Sequence, residues 1–304
     1  MLLPRSIATE ILQHPLWENQ DVQLFMKRLD QVHHKASGNK FYKLKYNLEQ
    51  AQKEGKSTLL TFGGAYSNHI YATAAAAQHA GFQSIGIIRG EETIPLNPTL
   101  AAAKEKGMQL FYVDRTTYRQ KKEPAFIANL KRQFGDFYLI PEGGTNELAI
   151  KGTTEILTAE DSTYTHICSA IGTGGTLLGL ANSLKNHQEL LGFSSLKGSF
   201  IHQEIADGLE KFGIIPEGKV NVLDNYHFGG YGKHNSALLD FIRWFYQEFQ
   251  IPLDPVYTGK MVYGTVDLIK KQYFPPGSKI LLVHTGGLQG IAGFNERFGF
   301  ALPL

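Results

Sequence analysis

The chain has 304 residues, is 42% hydrophobic and 19% charged, and sets 30 basic against 28 acidic residues for a formal net charge of +2. That length suits roughly two globular domains with a sizeable core, and a balanced charge without a long Lys/Arg run argues against nucleic acid as the main partner. The single cysteine, Cys168, allows neither an internal disulfide nor a thiolate metal cluster, and with no apolar run of roughly 18 residues neither a metal nor a membrane is expected. Pro4, Glu10, His14, Pro15 and Glu18 interrupt the first stretch, so no secretory signal is expected and the cytoplasm is the expected location.

In chain order, VQLFMKRL reads as a strand, HHKASGNK as a polar turn, and FYKLKYNLEQAQKEG as a helix closed by Gly55. Strands and helices then alternate: TLLTF before an alanine-rich helix, SIGIIRG before LAAAKEKG, QLFYVD before PAFIANLKRQF, FYLIPEGG before KGTTEILTAED, and THICSAIG before TLLGLANSLKNH. SLKGSFI stands alone, KVNVLDNY leads into a glycine-rich loop, and the helices ALLDFIRWFYQEF and KMVYGTVDLIKKQY precede a last strand, KILLVHTGG. This alternation predicts an α/β protein with parallel sheet flanked by helices, and with ligands at the C-terminal ends of the strands. No flexible linker is visible, so a second domain is expected from chain crossing. The expected boundaries are polar turns near Lys43 and Gly152, giving 1–42 plus 153–304 as a large domain and 43–152 as a small α/β domain inserted in it.

Three stretches carry chemistry. In TFGGAYSNHIYATAAAA, a strand, a glycine turn and a helix follow one another, with Ser67, Asn68 and His69 at the helix start. Unpaired N–H groups and the helix dipole suit a carboxylate or phosphate there; the alternative is that Ser67 and Asn68 only cap the helix. Gly172, Thr173, Gly174, Gly175 and Thr176 open onto another helix and read as a phosphate cradle or, failing that, a plain tight turn. Leu177 stands where a dinucleotide fingerprint needs glycine, and no P-loop lysine occurs. The third stretch is Gly38, Asn39, Lys40. A desolvated lysine amine forms Schiff bases, and the cofactor that joins an aldehyde to a phosphate is pyridoxal phosphate.

Five motifs in order, S-G-N-K-x-x-K-L at 37–44, G-G-x-x-S-N-H at 63–69, G-T-G-G-T at 172–176, D-P-V-Y-T-G-K at 254–260 and H-T-G-G at 284–287, resemble the 1-aminocyclopropane-1-carboxylate deaminase and D-cysteine desulfhydrase family. The resemblance runs from about residue 25 to the C-terminus and implies the tryptophan-synthase β type of fold, pyridoxal phosphate fold type II: α/β, with two open, parallel-rich twisted sheets flanked by helices. It implies that Lys40 holds the cofactor aldehyde and later moves the substrate's Cα proton, that Asn68 bonds the cofactor's ring hydroxyl, and that Thr173, Gly174, Gly175 and Thr176 hold its phosphate. It further implies that Ser67 receives the substrate carboxylate with Asn68 and His69 beside it, and that Tyr231 and Tyr257 line the substrate side. His69 reads equally as a structural histidine. A small amino-acid substrate and a homodimer are expected on the same ground.

Within the family, Thr258 and Thr285 stand beside the cofactor where the cyclopropane deaminases carry glutamate and leucine. A carboxylate at the pyridine nitrogen strengthens the electron sink, and a threonine does not. The pair therefore predicts a desulfhydrase-like β-elimination to a 2-oxo acid, ammonia and sulfide, with cyclopropane deamination as the alternative and a non-catalytic cofactor or amino-acid carrier as the reading from another class. The stretch RLDQVHHKASGNK is shorter and more basic than the family pattern, which bears on substrate identity.

Overall fold

Short runs rich in Ile, Leu and Val form the buried strands of this protein, whose computed structural model describes residues 4–34 and 36–304. Lys35, in the basic stretch before Lys40, lies outside the described residues. The strands are β1 (Thr9–Leu12), β2 (Gln23–Lys27), β3 (Thr58–Gly64), β4 (Gln83–Arg89), β5 (Met108–Val113), β6 (Tyr138–Ile140), β7 (His166–Ile171), β8 (Glu189–Ser194), β9 (Lys219–Leu223) and β10 (Lys279–Val283). They form a six-stranded sheet in the order β1-β2-β10-β7-β8-β9 and a four-stranded sheet in the order β5-β4-β3-β6. Every pairing is parallel except the β1–β2 edge. The fold is thus the expected α/β arrangement of two parallel-rich sheets with helices around them, and the small sheet lies wholly between β2 and β7 in chain order.

One core cluster joins the two sheets. It takes Leu59 and Ile140 from the small sheet, Ile167, Leu281 and Val283 from the large one, and Phe41, Leu44 and Leu48 from the helix Asn39–Lys53. The alanine run at 74–77 is fully buried in the helix Asn68–Ala80. Small side chains there let the helix lie close to its neighbours, a packing role added to their helix propensity.

Two sequence expectations need correction. The positions near Lys43 and Gly152 are not polar turns, because each lies inside a helix, Asn39–Lys53 and Glu147–Thr154. Lys43 and Asn47 make the first helix look polar, yet both are buried. The two helices cross so closely that a Cβ at Gly152 would lie 2.0 Å from the Tyr42 carbonyl oxygen. Nor does SLKGSFI stand alone: it is the serine-rich turn after β8 and the start of the helix Phe200–Lys211, elements whose signals are masked by Gly192 in the strand and by that turn. A Cβ at Gly192 would meet the side-chain ends of Ile171 at 2.6 Å and Leu177 at 2.8 Å, so any larger residue there makes both shift.

The helix crossing gives a stability test. Alanine is favoured over glycine by about 1 kcal/mol in a helix interior, but at Gly152 its methyl must push apart two backbones, a strain of about 1–3 kcal/mol. Gly152→Ala should lower the urea midpoint of unfolding, and an unchanged or higher midpoint would mean that the crossing yields freely.

Candidate active site

The strand ends of both sheets open onto a cavity of about 850 Å³. Gly64 and Ser67 reach it from the end of β3, Gly172 and Thr173 from β7, and Thr285 from β10.

Lys40 lies in the first turn of the helix Asn39–Lys53, and the start of that helix is fixed by backbone contact with the loop after β10. Gly38 sits at φ +69°, and a Cβ there would lie 2.1 Å from the Thr285 carbonyl oxygen. The Asn39 N–H donates to the same oxygen at 3.1 Å. Only glycine combines that positive φ with that approach. Lys40 lines the cavity, and desolvation brings its ammonium down from the ordinary lysine range to about 8.

One turn on, Lys43 also faces the cavity, a residue the motif reading quoted without giving it a role. Its spacing of three from Lys40 on one helix face was the available signal. Its Nζ donates to the Gly143 carbonyl at 3.0 Å, Thr145 Oγ1 at 3.2 Å and Thr173 Oγ1 at 3.4 Å. Burial first, and then the charge of Lys40, hold its pKa well below normal. Among the described residues it has no carboxylate partner within ion-pair distance.

The loop 172–176 meets that amine. Gly174 takes φ +78°, and a Cβ at Gly175 would crowd Thr145 Oγ1 at 2.7 Å and Lys43 Nζ at 3.0 Å. Thr173 and Thr145 share a hydroxyl hydrogen bond of 2.8 Å, and Thr176 Oγ1 accepts from Asn39 Nδ2 at 2.8 Å. Thr173, Gly174 and Thr176 line the cavity, with Gly175 between them.

Ser67 caps the helix Asn68–Ala80, its Oγ accepting from the Ile70 N–H at 3.3 Å. Capping uses a lone pair and leaves the hydroxyl proton free, so the capping and ligand roles coexist in one side chain. Asn68 Oδ1 accepts from Gln289 Nε2 at 2.7 Å, which leaves the Asn68 amide hydrogens to donate. Gln289 had no motif to betray it. His69 is brought to the cavity but faces the lysine pair: its ring lies 3.0 Å from where a Gly144 Cβ would be. Thr61 Oγ1 donates to the Ile140 carbonyl and accepts from His69 Nε2 at 2.8 Å. Burial, followed by the charges of Lys40 and Lys43, keeps the imidazole neutral.

Tyr231 and Tyr257 meet edge to face with ring centroids 6.0 Å apart, and both line the cavity. Tyr257 packs on Gly172, where a Cβ would be 3.0 Å from its Cε1. Burial, then the neighbouring Tyr231, pushes its hydroxyl well above the ordinary tyrosine range. Thr285 lines the cavity; Thr258 does not. It is fully buried, and its hydroxyl donates to Asp254 Oδ2 at 2.7 Å. Asp254 also accepts from the backbone N–H groups of Val256, Tyr257 and Thr258 at 2.8–2.9 Å. The side chain at 258 therefore locks the turn that carries Tyr257, a correction to its expected place beside the cofactor.

A family model described as pyridoxal-phosphate dependent enzyme matches residues 7–286. The chain belongs to that family. This pyridoxal-phosphate enzyme is 33% identical over 288 residues to a Pyrococcus horikoshii protein provisionally named a 1-aminocyclopropane-1-carboxylate deaminase, covering 90% of this chain and 87% of the relative. It is 29% identical over 297 residues to a Klebsiella pneumoniae D-cysteine desulfhydrase, covering 90% of each. A solved structure described as an ACC deaminase homologue superposes with a TM-score of 0.82 at 30% identity, covering 98% of this chain and 94% of the other.

The site suits the family's cofactor. A buried cation with only hydroxyl and carbonyl partners, facing a glycine loop, is balanced by a phosphate, and a desolvated amine on the same helix is suited to an aldehyde. Two predictions follow from these residues. Gly174→Asp puts a side chain and a negative charge against the loop, so equilibrium dialysis should give at least a tenfold weaker affinity for pyridoxal phosphate with an unchanged far-ultraviolet circular dichroism spectrum; full affinity would place the phosphate elsewhere. Because only the unprotonated amine is nucleophilic, capture of pyridoxal phosphate by the apoprotein should speed up as pH rises towards about 8 and level off above it. A rate still climbing steeply between pH 9 and about 10.4, the ordinary lysine value, would show that Lys40 is not desolvated.

Proposed function

We propose that this enzyme is a lyase that catalyses β-elimination from a small amino acid, with D-cysteine desulfhydrase chemistry as its closest description. The observation that carries the reading is the state of the carboxylates. Asp254 is saturated by three backbone N–H groups and the Thr258 hydroxyl. Glu142, the one acidic side chain lining the cavity among the described residues, accepts from the Tyr118 hydroxyl at 2.8 Å and lies 3.3 Å from Lys121 Nζ. Neither is free to hold a pyridine nitrogen protonated. Loss of a good leaving group tolerates that weaker electron sink better than ring opening does.

In this reading the loop 172–176 and Lys43 hold the cofactor phosphate, and Asn68, steadied by Gln289, donates to the ring hydroxyl. Bound pyridoxal phosphate supplies the electron sink for a carbanion at Cα. Ser67 and the N–H groups at the start of its helix take the α-carboxylate. Lys40 Nζ removes the Cα proton, the Cβ–S bond breaks with its electron pair going to sulfur, and hydrolysis of the product gives a 2-oxo acid, ammonia and sulfide. Tyr257, kept protonated by burial, donates towards the departing group, with Tyr231 against it. Substrate chirality rests on the family resemblance. A homodimer in the cytoplasm completes the proposal, supported by the same resemblance and by a lone buried cysteine.

Cyclopropane deamination is the second reading, favoured by the names of the Pyrococcus relative and of the solved homologue. A side-by-side assay of 2-oxo acid and ammonia release separates the two. D-Cysteine should turn over at least tenfold faster than 1-aminocyclopropane-1-carboxylate, a difference of about 1.4 kcal/mol in barrier. Equal or faster turnover of the cyclopropane would replace the first reading with the second.

A further inference from the structure

The turn that carries Ser67 is surrounded by more positive charge than one carboxylate needs. Arg89 ends β4 directly beside Gly64 in the parallel ladder, and its Nη2 lies 3.5 Å from where a Gly64 Cβ would stand. Arg115 follows the end of β5, the strand paired with β4, so it enters from the same edge. Arg297, from the helix Gln289–Phe298, stacks over Tyr66 at 5.3 Å. Lys233 lines the rim near Tyr231. None of these four cations forms an ion pair with a carboxylate among the described residues. Glu142 is the one acid lining the cavity among the described residues, and it is held by Tyr118 and Lys121.

The inner lysines do not need these groups, because the cofactor phosphate lies on the side of Lys43 and the glycine loop in the reading above. Ser67 and its helix start accommodate one α-carboxylate. Arg89 is the cation best placed to meet something further along the substrate: it borders the Gly64 backbone, its guanidinium lies 5.7 Å from the Tyr118 ring centre, and its charge reaches Tyr231. Exposed guanidinium groups of this kind recognise carboxylate, sulfonate or phosphate oxygens in pairs.

We propose that, among the small amino acids this lyase takes, the site prefers those carrying a second anionic group on the side chain over D-cysteine itself, and that Arg89, at the end of β4 beside the turn of Ser67, binds that group, with Arg115 and Arg297 reinforcing the field. The inference deepens the lyase reading and uses the same cavity. It assigns Arg89 to specificity, with the chemistry left to Lys40.

The test compares two ligands that differ in charge and scarcely in shape. Equilibrium dialysis of the holoenzyme with radiolabelled aspartate and asparagine, each as both enantiomers, should give at least tenfold tighter binding of aspartate in the favoured enantiomer. Arg89→Gln should abolish that preference, Arg89→Lys should retain part of it, and raising the salt from 0.05 to about 1 M should shrink it in the native enzyme. β-Chloroalanine, which has no second charge, reports in the native enzyme whether the elimination itself runs. Equal binding of the two ligands, or a preference that survives Arg89→Gln, would overturn the proposal. Native enzyme that turns over β-chloroalanine while failing to prefer aspartate leaves the lyase reading standing without it, whereas a preference for aspartate in an enzyme inert towards β-chloroalanine and D-cysteine removes the lyase reading and keeps the charge recognition.

Discussion

Two lysine amines one helical turn apart, both desolvated and neither ion-paired among the described residues, govern how the rest of the site is built. Holding one cation away from water costs several kcal/mol, and a second amine beside it adds repulsion. Their neighbours answer this locally. Gly143, Thr145 and Thr173 give Lys43 three oxygen acceptors, the nearby imidazole of His69 stays neutral, and both amines are shifted towards their uncharged forms. Such an arrangement is poor for the stability of an empty protein and well suited to a ligand that brings its own negative charge. Binding of the cofactor should therefore stabilise the fold as well as equip it, since what binds only the native state shifts the folding equilibrium.

The glycines serve that arrangement through distance. At Gly38, Gly152 and Gly175, a Cβ would come within 3 Å of a carbonyl, hydroxyl or amine that the site uses or rests on. At Gly38 and Gly152 backbone meets backbone, with no soft side chain to move aside, while at Gly175 the loop meets the side chains of Thr145 and Lys43. An amine delivered in this way is held by the main chain, which is stiffer than any rotamer preference.

Much of this was legible in the sequence, and the unread parts have physical causes. The strand–turn–helix units at 58–80 and 166–181 were clear because apolar runs, glycine turns and helix formers agree there with one another. Most candidate residues of the motifs do converge on one cavity, Lys40, Ser67, Asn68 and Tyr257 among them. Thr258 was misplaced because its motif position says that it follows a site tyrosine, and gives no sign that its hydroxyl turns back to Asp254. Gln289 escaped because its partner Asn68 is far away in the chain, and Arg89 because only strand pairing sets it beside Gly64. The four strands of the small sheet lie between β2 and β7 in chain order, but the sequence reading sought boundaries in polar turns. Polarity at Lys43 and Asn47 belongs to buried groups with partners, and local composition does not distinguish those from solvated ones.

The contact between Gly38 and the carbonyl of Thr285 joins residues separated by almost the whole length of the chain. As the protein leaves the ribosome, the segment bearing Lys40 emerges early, while the loop that fixes its helix start is synthesised among the last. Both sheets share one core cluster that also needs Leu281 and Val283, so the early part lacks its packing partner until the end. A nascent or truncated chain thus carries its reactive amine without the geometry that desolvates it. Such an amine keeps the ordinary lysine range, and the surroundings that lower it are complete only once the last strand and its loop have been made.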